Sequence, residues 1–246
     1  MRILADLHTH TVASTHAFCT LNEMITKAAE IGLELIATTD HAGSMPDASH
    51  RWRFGNFECI PREVKGVTVL CGAESNLENE NGDVDFLGSK GRELDILIVS
   101  MHSDIYLPKS AQEHTNALIN MMKHKEVDII GHPARYGVPF DYEQVAKAAE
   151  VSNKIIEINE NCLRVQRDYP QWSMRNKGIY TEVLTACRKY NTKSAVNSDA
   201  HYDDSLGQVN NALELIKSLA FPEELIVNRS RDTILAHLHE KKGLIV

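Results

Sequence analysis

The chain has 246 residues, 43% of them hydrophobic, and a formal net charge of −8. That size fits one large α/β domain, and the apolar share excludes wholesale disorder. The negative charge argues against long nucleic acid or an anionic membrane as partner. A phosphorylated small molecule stays open as substrate, because bound metal ions reverse a local field.

No apolar run reaches the roughly 18 residues that a membrane span needs. The start of the chain has no basic segment followed by a long apolar stretch, so no secretory leader is expected. Cys19, Cys59, Cys71, Cys162 and Cys187 are scattered, with no Cys-x-x-Cys pair. They read as reduced thiols of a cytoplasmic protein. No linker, low-complexity tract or fixed-period repeat divides residues 1–246, so a single domain is expected, and a homo-oligomer is allowed.

Short apolar runs that read as buried parallel strands appear at Ile3–Leu7, Leu33–Thr39, Val67–Ala73, Leu94–Met101, Val127–Gly131, Lys154–Asn159 and Lys193–Asn197. Between the first two, Thr20-Leu21-Asn22-Glu23 is a capping box that opens a helix through Ile31, and Gly32 stops it. Residues 42–62 form a longer excursion after the second strand and include Asp47, His50, Arg51, Trp52 and Arg53. Helical periodicity follows at 110–124, 142–152, 178–190 and 206–219. Pro222 fits the first turn of a further short helix, and 230–241 makes the last. Repeated strand–helix alternation means a parallel sheet, either open or closed. A typical barrel has eight strands in ~250 residues. Seven predict a distorted seven-stranded (β/α)7 TIM-like barrel.

The chain carries twelve histidines. Many fall where the predicted strands end, at Asp6-Leu7-His8-Thr9-His10, Asp40-His41, Glu74, His102, Gly131-His132 and Asp199-Ala200-His201. In β/α folds the site lies outside the carboxyl ends of the strands, so these groups should converge on one face. Residues two apart on a strand point the same way. Asp6, His8 and His10 are therefore expected to share a face, as are Asp199 and His201. His16, in the loop before the capping box, is within reach of the same mouth. One His at a strand end is ordinarily just a hydrogen-bonded residue. So many at equivalent positions point to a metal centre, for which imidazole and carboxylate are competent ligands. His114, His124, His237 and His239 do not share the pattern and read as surface or packing residues.

These motifs, in this order, resemble the polymerase and histidinol phosphatase (PHP) family, and within it the branch of small stand-alone bacterial phosphatases. The stretch from Val12 to Ala17 and the excursion around His50 and Trp52 strengthen the closer match. The resemblance implies a trinuclear site of divalent ions, usually zinc, sometimes manganese or iron. Carried over by position, His8, His10, Glu74 and Asp199 hold the first metal. Glu74 bridges to a second, also bound by His102 and His132. His16, His41 and His201 hold a third. The implied reaction is hydrolysis of a small phosphorylated metabolite or nucleotide by a metal-bridging hydroxide, with no protein nucleophile.

Asp6 and Asp40 are candidates for orienting ligand imidazoles from behind, or equally for capping backbone. His50, Arg51, Arg135 and Arg164 are candidates for substrate binding, since arginine clamps phosphate in bidentate fashion. Asn159 and Asn161 could hydrogen-bond a polar substrate. Two rival readings remain. An amidohydrolase-type C–N hydrolase also opens on His-x-His, but commonly carries a bridging lysine after the fourth strand, where this chain has Met101-His102. A non-catalytic metal-binding or regulatory protein would close its metal coordination, whereas a catalytic site keeps an open position.

Overall fold

The computed structural model describes residues 1–88, 94–165 and 170–242. In chain order the elements are β1 (Ala5–Thr9), α1 (Leu21–Ile31), β2 (Leu35–Thr38), α2 (Trp52–Gly55), β3 (Glu63–Val64), β4 (Val67–Asn76), β5 (Ile96–Ser100), α3 (Ala111–Met121), β6 (Ile129–Gly131), α4 (Tyr142–Val151), β7 (Ile155–Asn159), α5 (Glu160–Leu163), α6 (Pro170–Tyr190), β8 (Ser194–Asn197), α7 (Asn210–Ser218) and α8 (Arg231–Lys242). The strands β1-β2-β4-β5-β6-β7-β8 lie side by side in that order, all parallel, and the short β3 runs antiparallel to the start of β4.

The sheet is a nearly closed barrel with helices between its strands. β8 returns to β1 through a parallel bridge of Thr9 with Ala200. At the other end of this seam the side chain of Asn228 replaces a ladder. It donates from Nδ2 to Ala5 O (2.9 Å) and Val196 O (2.6 Å), and its Oδ1 accepts from Val196 N (3.0 Å). Without it these buried backbone groups would be left unpaired, at about 1–3 kcal/mol each.

The interior is layered. Its lower part is apolar, with Ala5, Leu35, Leu70, Ile96, Ile129, Ile155 and Ala195 forming one cluster with Ile234 and Leu238 of α8. Alternate residues of the same strands, such as Leu97, Ile130 and Ile156, face outward into a second core beneath the helices. One or two steps further along the inward face, the aliphatic residues give way to Glu74, His102, Glu157 and Asp199.

The seven expected strands are present, with ends shifted by up to three residues. The short β3, α2 and α5 fall below the length at which periodicity shows. The helix expected from residue 178 begins at Pro170. Its first turns are polar outside, but Ser173 and Asn176 are buried, and Asn176 Nδ2 donates to Cys162 O at 3.0 Å. Among the described residues no helix is long and apolar enough to cross a membrane.

His114 on α3 is a packing residue, as its sequence context implies. It is fully buried, its Nδ1 donates to Val138 O at 3.0 Å, and its ring packs edge-on against Phe140. Burial pushes its pKa down from 6.5 to about 4 despite that hydrogen bond. The unfolded chain therefore takes up this proton first. The stabilisation is complete above pH 6.5 and is lost as pH falls towards about 4. Between pH 7 and pH 5 the wild type is expected to lose roughly 2 kcal/mol more stability than His114→Leu, from urea unfolding of both proteins. Parallel pH profiles would refute this.

Candidate metal centre

All the candidate ligands but His16, which sits in the loop before α1, are delivered at or just beyond the end of a strand, and three of the deliveries bend the backbone. The β1–β2 register slips between Asp6 and Thr9, so β1 carries a bulge there. Ala5 and Leu7 face the apolar interior, yet His8 next to Leu7 also faces inward, onto Glu74 and Glu157. A bulge re-aims side chains in this way. The expectation that Asp6 shares a face with His8 and His10 is thereby corrected. His132 and Asp199 take positive φ, 22° and 55°. Such conformations cost energy in non-glycine residues and persist where the surroundings enforce them.

Glu74 lies at the centre. Its Oε2 is 3.3 Å from His8 Nε2, 3.5 Å from His10 Nε2 and 3.1 Å from His41 Nδ1. Its Oε1 is 2.9 Å from His132 Nε2 and 3.5 Å from His102 Nε2. Asp199 Oδ1 lies 3.2 Å from His10 Nε2, 3.7 Å from His8 Nε2 and 3.6 Å from His201 Nδ1. Outward of these, the His10 ring stacks on His201 at 4.3 Å between centroids, and His16 lies 4.3 Å from His201 and 5.3 Å from His41. All nine positions singled out in the sequence thus meet at one mouth.

The donor atoms fit divalent ions. Ligand atoms of His8, His10 and Glu74 lie within 4.8 Å of one another, as do those of His41, Glu74 and His102, and of His10, His41 and His201. His8 Nε2, His10 Nε2, His41 Nδ1 and His201 Nε2 are buried without a hydrogen-bond partner. Buried polar atoms are normally paired, so such a group of orphans turned to one centre is what a metal cluster requires.

The two carboxylates and His10 are electrostatically suited to a cation. Burial alone would raise the carboxyl pKa of Glu74, but His8, His102 and His41 hold it well below its usual value. Burial likewise works against Asp199, and His8, His10 and His201 hold it well below. Burial drives His10 well below the usual imidazole value, leaving it neutral and ready to ligate.

Behind the ligands stands a layer that the sequence reading only partly found. Glu157, fully buried in β7, accepts from His8 Nδ1 at 2.8 Å, from His132 N at 2.7 Å and from Asn197 Nδ2 at 2.8 Å. Asn76 Oδ1 meets His102 Nδ1 at 2.7 Å, and Asp85 in turn takes Asn76 Nδ2 at 2.6 Å. Ser14 Oγ meets His10 Nδ1 at 3.3 Å and donates to Asp40 at 2.9 Å. Among the described residues Asp40 acts on an imidazole only through that serine; its other partners include Thr11 and Arg53. Asp6 caps the turn after β8, taking Ser198 N and Oγ and Gly207 N. Of its two readings, the structure favours the capping one.

The four candidate substrate residues separate. Arg135 reaches Asp199 Oδ2 at 3.3 Å with its side chain 36% exposed. Asn159 and Asn161 approach the same oxygen at 3.3 and 3.4 Å. Arg164 points to the backbone carbonyls of Ser205 and Gln208 and braces that loop. His50 packs edge-on against the exposed Trp52, and Arg51 lines a cleft of about 1090 Å³ beside α2 that contains none of the clustered histidines.

A probable phosphatase of Shewanella loihica is 40% identical over 246 residues, covering 99% of this chain and 97% of its own. One from Shewanella piezotolerans is 39% identical over 238 residues, covering 97% and 94%. The fold matches a crystal structure of histidinol phosphate phosphatase from Lactococcus lactis, complexed with zinc, L-histidinol and phosphate, with TM-score 0.63, 17% identity and coverage of 90% and 95%. The PHP domain family matches residues 6–168. On this match and these relatives, the chain belongs to the PHP domain family.

Proposed function

We propose that the chain is a metal-dependent phosphoesterase of the cytoplasm that hydrolyses a small phosphorylated metabolite with three divalent ions, most readily zinc. The observation that carries this reading is the mouth of buried, unpartnered imidazole nitrogens gathered around Glu74 and Asp199. The relatives' name, probable phosphatase, supports phosphorus as the reacting centre. The absence of a thiolate from the cluster suits zinc or manganese.

In this reading His8, His10, Glu74 and Asp199 hold one ion, Glu74, His102 and His132 a second, and His16, His41 and His201 a third. When bound, such ions supply charge neutralisation and an acidified water. The remaining work belongs to the chain. The Glu74 and Asp199 carboxylates offset only part of the ions' charge, so the mouth attracts an anion although the chain is acidic overall. Glu157, Asn76 and Ser14 fix ring orientations from behind. Arg135, half-exposed beside Asp199, is placed to bind a phosphate oxygen, with Asn161 next to it.

Purified protein loaded with zinc, manganese or iron in turn is expected to carry more than one ion per chain by elemental analysis. It should hydrolyse an aryl phosphate, lose that activity to a chelator and regain it on metal return. A fully loaded protein that turns over neither aryl phosphate nor any member of a phosphorylated-metabolite library would overturn the assignment.

A further inference from the structure

We propose that Asp47 is a ligand of the outermost ion, and that this bond fixes the 42–62 excursion over the mouth. The inference rests on the reading that His16, His41 and His201 hold that ion. The Asp47 Oδ2 lies 2.6 Å from His16 Nδ1, and ligand atoms of His16, His41 and Asp47 lie within 4.8 Å of one another. Asp47 is largely covered, with its side chain 15% exposed, whereas His16 is 52% exposed. As a plain ion pair with so open a histidine, the contact would contribute little. As a ligand it answers a chemical need. The outer group is otherwise made of imidazoles, each neutral when it ligates, and the carboxylates that approach it, Glu74 at 3.1 Å from His41 Nδ1 and Asp199 at 3.6 Å from His201 Nδ1, also contact His8 and His10. A dication there gains a carboxylate of its own if Asp47 ligates it, since Glu74 and Asp199 are shared with the other positions.

The same residue joins the site to a segment that no strand or long helix holds. Ser49 N donates to His41 O at 2.9 Å and Ser49 Oγ to Ala13 O at 2.9 Å, while Arg53 pairs with Asp40 at 2.6 Å. Among these contacts Asp47 alone reaches ligand atoms. Metal occupancy would then set the position of Trp52, whose ring is 74% exposed, and of His50 and Arg51 beside it.

The test uses the whole chain as wild type, Asp47→Ala and Asp47→Asn, each stripped by chelator and reloaded in buffered zinc. Both variants are expected to retain one zinc fewer than wild type, or to need at least tenfold more free zinc for the last ion. Hydrogen exchange over residues 44–56 should slow on zinc addition in wild type and change little in either variant. Asparagine can still accept from His16 Nδ1, so Asp47→Asn separates ligation from ring orientation. If it keeps full zinc content at wild-type affinity, the ligand assignment is overturned while the multi-metal reading stands. Zinc-independent exchange in wild type would overturn the coupling to the excursion. A wild type that takes up no zinc overturns both readings together.

Discussion

Glu74→Gln is expected to lower kcat/KM for an aryl phosphate by on the order of 10³-fold or more. Removing one preorganised electrostatic partner from an active site commonly costs about 10²–10³-fold. Glu74 touches five imidazoles from the end of β4, through both of its oxygens. The glutamine keeps the volume and can still accept on one side, but it loses the charge and places an NH₂ among ring nitrogens. The amide hydrogens would face the cation that those nitrogens are turned inward to hold, so repulsion of the ion and lost ligation act together. The zinc content should fall by at least one ion per chain in the same samples, read by elemental analysis. Activity within tenfold of wild type at full zinc content would contradict a shared role for this carboxylate.

Much of the site was legible because it obeys a periodic rule. His41, Glu74, His102, His132 and Asp199 each sit where an apolar strand ends, and the fold brings such ends to one face. The bulge in β1 was not legible, since register depends on what β2 offers across the ladder. It leaves Asp6 on the far side from His8, where strict alternation had put both together. The Asn228 side chain that closes the barrel belongs to a short turn with no periodic signal. Arg53 and Asp47 were visible as charges in the excursion, but their partners lie 13 and 31 positions away in sequence.

Glu157 left a fainter trace, and it carries the second large effect. It is a lone acid in the run Ile155-Ile156-Glu157-Ile158, inside a strand buried on both faces. An ionised carboxylate in such a place must be paired, so the residue itself announced an unseen partner. That partner is His8, held through Nδ1, which leaves Nε2 facing Glu74 and Asp199. Burial alone would raise the carboxyl pKa of Glu157, but His8, with help from His132 and Asn197, holds it lowered. A carboxylate behind a ligand imidazole fixes its tautomer and strengthens its donor atom, and loss of such a partner typically costs about 10–100-fold. Glu157→Gln is therefore expected to weaken the most tightly held zinc, or lower kcat/KM, by about that factor, as read by chelator competition and aryl phosphate hydrolysis. Glu157→Ala goes further, because His132 N and Asn197 Nδ2 also lose their acceptor. Breaking a buried charge pair from one side costs about 3–5 kcal/mol, so the metal-free alanine variant should unfold at clearly lower urea than metal-free wild type. If the glutamine variant binds zinc as wild type does, the charge on Glu157 has no part in tuning His8. If the alanine variant is as stable as wild type, the carboxylate is not a structural partner of the ring either.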